Sequence, residues 1–72
     1  MDKEKILKQI ALNIKLQRVR KNLAQEQLAE MSNLHTNFIG KIERSQSNPT
    51  IISLFQIAEA LSISIDELLK FE

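Results

Sequence analysis

The chain has 72 residues with no Cys, one His, one Gly and one Pro. That length makes residues 1–72 one small domain whose core leaves little surplus over conformational entropy, and the lack of Cys excludes a disulfide framework or a thiolate metal site. The net charge is +1, but it is unevenly spread. Residues 1–21 hold seven Lys or Arg against two acids, residues 22–45 two against three, and residues 46–72 one against four. The asymmetry hints at a polyanionic partner, and a solvated basic helix face accounts for it equally well. The start, Met1-Asp2-Lys3-Glu4, has no apolar run after it, and no stretch approaches the ~18 apolar residues of a membrane span. A cytoplasmic protein with no membrane partner is expected.

Helical periodicity dominates the whole chain, and a turn-rich β architecture has too little Gly and Pro to form. A first helix is predicted over about residues 3–21, with Ile6, Leu7, Ile10 and Ile14 along one face. A second, about 25–32, turns Leu28 and Ala29 inward. Ser32-Asn33-Leu34 then breaks the pattern, and Asn tolerates the left-handed conformation a sharp turn requires. The third helix covers about 36–45 and ends in the loop Ser45–Pro49. The fourth, about 50–61, has Thr50 as its N-cap and Leu54, Ile57, Ala58 and Leu61 inward. The last opens on Ser64-Ile65-Asp66-Glu67, an S-x-x-E capping box, and runs to about Lys70. Together they predict an all-α, compact five-helix bundle in which residues 25–45 read as a helix-turn-helix.

The stretch "LAQEQLAEMSNLHTNFIGKIERSQSNPTI" followed by "LFQIAEALSISIDELL" resembles the phage-repressor-like (Xre-type, lambda-repressor-like) helix-turn-helix family. Gln25, Leu28-Ala29, Ile39, Ile42-Glu43-Arg44, Asn48-Pro49, Leu54, Ala58, Leu61, Asp66 and Leu68 carry the resemblance. It implies a transcriptional regulator whose second helix of the pair enters the DNA major groove, acting as a dimer. Spacing residues 100° apart puts Ile39, Ile42 and Glu43 on the inward arc of that helix and Asn37, Gly40, Lys41 and Arg44 on the outward one. A buried carboxylate needs a partner. Arg18, beside the Ile14 stripe, is the candidate, and the resemblance implies the same structural pair.

The outward arc is the expected reading surface. Asn37 suits adenine, Lys41 suits guanine O6 and N7, and Thr36 suits a thymine methyl or a phosphate. Gly40 has no side chain, which would let the helix backbone approach the groove. Gln25 lies where the family's Gln bonds a phosphate, aided by the helix N-terminus. Arg44 and Asn48 frame the far end of the third helix and suit phosphates, although Asn48 fits a turn before Pro49 equally well. His35, at the N-cap, is read as a polar cap or a phosphate neighbour. Four positions depart from the family pattern: Ala24 replaces the usual Thr, Ser45 the usual Gly, and Gln46-Ser47 the often basic loop. Weaker, less salt-driven DNA affinity follows.

Enzyme readings fail on content: the one His has no plausible triad, no Gly-rich loop cradles phosphate, and the carboxylates are scattered. No cofactor or metal is expected. The rival reading is a protein-interaction helical module, such as a toxin-binding antitoxin, with little or no DNA binding. A protein partner, toxin or transcription machinery, is left unassigned. Ile52, Phe55 and Phe71 lie off the core arcs and are assigned to a homodimer interface. Leu12, Leu16 and Val19 form a second apolar stripe on the first helix, which the C-terminal residues of the same chain could instead cover.

Overall fold

The computed structural model describes residues 2–71, and within them the chain forms five helices and no strand. The first, α1 (Lys3–Arg20), starts where the Asp2 carboxylate accepts the Glu4 N–H at 3.0 Å. Ala24 precedes α2 (Gln25–Ser32) and has no side-chain acceptor to offer. The reciprocal half of a cap survives without it, because the Ala24 N–H donates to Gln27 Oε1 at 2.8 Å. His35 precedes α3 (Thr36–Glu43). Thr50 caps α4 (Ile51–Ala60), its hydroxyl accepting the Ser53 N–H at 3.0 Å. The expected capping box at Ser64 is not made: α5 (Ile65–Leu68) has no side-chain cap and stops two residues short of Lys70.

The reason for that early stop lies in α1. Asn13 is buried, and its Nδ2 donates to the carbonyls of Leu68 at 2.9 Å and Lys70 at 2.8 Å. Carbonyls claimed by a side chain from across the molecule do not need further helical N–H groups. Gln9 Nε2 donates to Asn13 Oδ1 at 3.0 Å and so fixes which way the amide faces.

The first four helices end alike. Asn22, Asn33, Ser45 and Ser62 adopt positive φ of 58°, 60°, 61° and 57°. After each, a backbone N–H reaches back five residues: Leu23 to Arg18, Leu34 to Ala29, Gln46 to Lys41 and Ile63 to Ala58. This double-bonded stop satisfies carbonyls that would otherwise be orphaned, and glycine is its usual occupant. Here Asn and Ser supply it, and the chain's one glycine stands inside α3.

Each helix sends an anchor into one core. Ile10 and Ile14 come from α1, Leu28 and Ala29 from α2, Ile39 and Ile42 from α3, Leu54, Ile57 and Ala58 from α4, and Leu68 from α5. Leu61, just past α4, completes it. All but Leu68 are inward residues that the periodicity predicts, while Ile6 and Leu7, predicted inward as well, are only half-buried. The packing runs as a ring, α1 against α3 and α5, α2 against α3 and α4, and α4 against α5. Leu12, Leu16 and Val19 stay exposed rather than covered by the C-terminal residues. Ile51, Ile52, Phe55 and Phe71 are exposed too, and Ile52 is the most open at 67%.

Candidate nucleic-acid interface

Ile39 and Ile42 press one side of α3 into the core, which fixes its rotation about its own axis. Two hydrophobes three apart leave the opposite arc to solvent. Thr36, Asn37 and Lys41 are exposed there. They line one shallow depression with His35, Phe38 and Ser47. Phe38 belongs to this surface although its sequence position did not suggest it, and Ser47 joins it from the loop after α3. Phe38 is half-buried and packs its ring against the core, so it shapes the surface from behind.

The back of α3 is held by an ion pair. Arg18 Nε donates to Glu43 Oε2 at 2.7 Å, and Arg18 Nη2 donates to Oε1 at 2.9 Å. The Glu43 side chain is only 3% exposed and that of Arg18 12%. Arg18 Nη1 also donates to the Leu23 carbonyl at 2.7 Å, tying the α1–α2 turn into the same knot. The hydrogen bond to Glu43 raises the Arg18 pKa above its ordinary value against the opposing pull of burial, so the cation is permanent. A fork of this kind fixes direction as well as distance. It orients α3 against α1.

Gln25 joins that knot. Its Nε2 donates to Glu43 Oε1 at 3.1 Å, so the amide is half-buried and oriented rather than freely displayed. Arg44 is exposed, and its Nε donates to Gln46 Oε1 at 3.1 Å. The arc geometry of Gly40 needs correction. It was expected as an open patch of backbone, but it is buried, with the side chains of Arg44 and Gln25 over it. His35 needs a second correction: it occupies the N-cap position of α3, yet its exposed ring makes no capping hydrogen bond. Asn48 is exposed in the loop before Pro49 and does not line the depression on α3, although its neighbour Ser47 does.

Among the described residues no helix is long and apolar enough to cross a membrane, and no three acids or His gather closely enough to hold a metal ion. The same residues leave every buried side-chain nitrogen and oxygen hydrogen-bonded. What the surface offers is a rigidly oriented helix displaying an amide, a hydroxyl and cations.

A five-helix scaffold presenting one short helix in this way is a helix-turn-helix module. A family model described as "Helix-turn-helix" matches residues 14–68. Control protein C.SmaI of Serratia marcescens is 45% identical over 69 residues, covering 96% of this chain and 79% of that protein. The immunity repressor protein of Bacillus phage phi105 is 35% identical over 63 residues, covering 88% of this chain and 44% of that protein. Among solved structures, the restriction-modification controller protein C.AhdI from Aeromonas hydrophila superposes with a TM-score of 0.85 at 34% identity, covering 86% of this chain and 94% of that one. The chain belongs to this helix-turn-helix family, whose members are transcriptional regulators rather than enzymes.

Proposed function

We propose that the protein is a transcriptional regulator that lays α3 in the major groove of double-stranded DNA and binds an inverted repeat as a symmetric dimer. The observation that carries the reading is the division of α3 itself. One arc is locked to the core through Ile39, Ile42 and the Glu43–Arg18 fork, and the other exposes Thr36, Asn37 and Lys41. A helix held on one side and polar on the other is what base readout requires. Lys41 and Asn37 read base edges, and Gln25 and Arg44 hold phosphates. The likeness to C.SmaI and C.AhdI supports a regulator of the controller type.

A gel shift against fragments selected from random duplex DNA tests this. Lys41→Ala is expected to weaken specific binding by about 1–3 kcal/mol and to relax preference at one base position. Gln25→Ala should weaken all sequences about equally. Both variants binding cognate and random DNA as wild type does would mean the reading surface lies elsewhere.

The dimer reading rests on α4. Ile52 and Phe55 are exposed, and they border an open, mainly apolar groove with Ala58, Ile63 and Ile65. A symmetric pairing there covers apolar surface that a monomer leaves wet. Two copies of α3 about 34 Å apart in such a dimer would match half-sites one helical turn apart. Sedimentation at micromolar concentration should give a dimer, and Phe55→Lys should give a monomer. A wild-type monomer that binds a lone half-site with full affinity refutes the arrangement.

A further inference from the structure

We propose that Gly40 is a positioning residue: its missing side chain seats the Arg44 guanidinium beside Gln25, so that the two grip one DNA phosphate together. The proposal rests on the DNA-binding reading above and gives its phosphate contacts a shared location. A Cβ built on Gly40 would lie 2.9 Å from Arg44 Nη1, 3.7 Å from Arg44 Cζ and 3.4 Å from Gln25 Oε1. The first distance is shorter than real Cβ contacts show, so a methyl group there would push aside the Arg44 guanidinium, the far end of a flexible side chain. Gly40 is one turn before Arg44, the residue that caps the end of α3, and Gln25 reaches the same point from the first turn of α2. Two elements therefore meet over one atom's worth of vacant volume.

The donors left at that point suit a phosphate. Arg44 spends its Nε on Gln46 Oε1, leaving the terminal nitrogens for a ligand. Gln25 turns its Oε1, an acceptor, toward Gly40, while its Nε2 gives one hydrogen to Glu43 and keeps a second to donate. Its backbone N–H, in the first turn of α2, has no carbonyl of its own helix to meet. Guanidinium, amide and helix N-terminus together make a charged, oriented donor set of the kind that binds phosphate oxygens. Glycine in a helix interior weakens the helix, so an occupant for the space explains its presence better than chance does. The three atoms nearest that Cβ position all belong to Arg44 and Gln25.

A rival account has Gly40 bare so that DNA backbone can pass close to α3. The two accounts differ in whether Gly40 acts through Arg44. The test measures binding of the full chain to a mixed-sequence duplex of about 30 base pairs across a salt series, so that phosphate contacts alone are read. The chains compared are wild type, Gly40→Ala, Arg44→Ala and the double variant, with thermal melting of each. Arg44→Ala should weaken binding roughly tenfold and make the log–log salt slope shallower by about one. Gly40→Ala should reproduce both effects while retaining Arg44, a loss of salt slope that a purely structural glycine would not produce. In the Arg44→Ala background, adding Gly40→Ala should change neither.

A further loss of affinity in that background overturns the proposal in favour of direct approach of DNA to Gly40. Gly40→Ala binding with the wild-type salt slope overturns it as well. If Gly40→Ala melts out while the double variant folds, the collision with Arg44 is demonstrated through stability and the proposal stands. If neither folds, the crowding is not with Arg44 and the proposal fails. Wild type that ignores the duplex at low salt removes the DNA reading instead, and the melting cycle still decides whether Gly40 and Arg44 are coupled.

Discussion

Arg18→Met is expected to destabilise the fold by about 3–5 kcal/mol, because it leaves the Glu43 carboxylate buried without its partner. The geometry sets that size. Glu43 is nearly sealed from water and receives two bonds from Arg18, at 2.7 and 2.9 Å, against one from Gln25 at 3.1 Å. The amide cannot neutralise the charge. Arg18→Met also leaves the Leu23 carbonyl without its donor, loosening the α1–α2 turn. A mutation that only trimmed packing at a site 12% exposed would cost far less. Adding Glu43→Leu should recover much of the loss, since apolar residues of similar volume often replace a buried pair at little cost. Urea unfolding of both variants checks this. A double variant no more stable than Arg18→Met alone means that the fork is not what holds α3.

Asn13→Ala should cost about 2–4 kcal/mol, about 1–3 for the buried bond to the Leu68 carbonyl and less for the part-buried one to Lys70. The two carbonyls, of Leu68 and Lys70, are 55 and 57 residues away in sequence, so no local rearrangement of α1 can replace the amide. A helix of four residues is far too short to be stable alone. Its attachment therefore depends on Leu68 in the core and on Asn13. Amide exchange offers a readout beyond the melting point: protection should fall first at Leu68 and Leu69 and stay high in α2 and α3. An Asn13→Ala chain within about 0.5 kcal/mol of wild type, with Leu69 still protected, means that water serves those carbonyls instead.

The sequence made α2 and the core arcs legible because both follow from apolar spacing, which tertiary packing had no reason to override. Thr50, as an N-cap between Pro49 and an apolar run, was equally readable. The end of α5 was not. Ser64 and Glu67 have the spacing of a capping box, but Glu67 instead pairs with Lys70 at 3.2 Å, and Asn13 decides where the helix stops. Asn13 did leave a trace. It lies three residues after Ile10 on the apolar stripe, where an amide is out of place unless it has distant work to do. The fork between Arg18 and Glu43 was legible because a carboxylate on an inward arc demands a cation, and only one lay at the right height on the first helix. Gly40 misled for a reason of scale. Helical arcs give direction, yet whether a glycine is open depends on where a long neighbouring side chain lies, and periodicity carries no information about rotamers.

The left-handed stops at Asn22, Asn33, Ser45 and Ser62 bear on how autonomous the helix-turn-helix is. A glycine stop would be favourable in isolation; an Asn or Ser stop costs strain that something else must offset. At three of the four, that support comes from the next residue: Leu23, Leu34 and Ile63 pack against the core. The ends of α1, α2 and α4 are therefore set by the assembled interior rather than by the local chain. Cut free of the other helices, residues 25–45 would lose the burial that holds Asn33 in place, and the angle between α2 and α3 would dissolve with it. The reading module is a property of the whole bundle, and it cannot be grafted as a peptide.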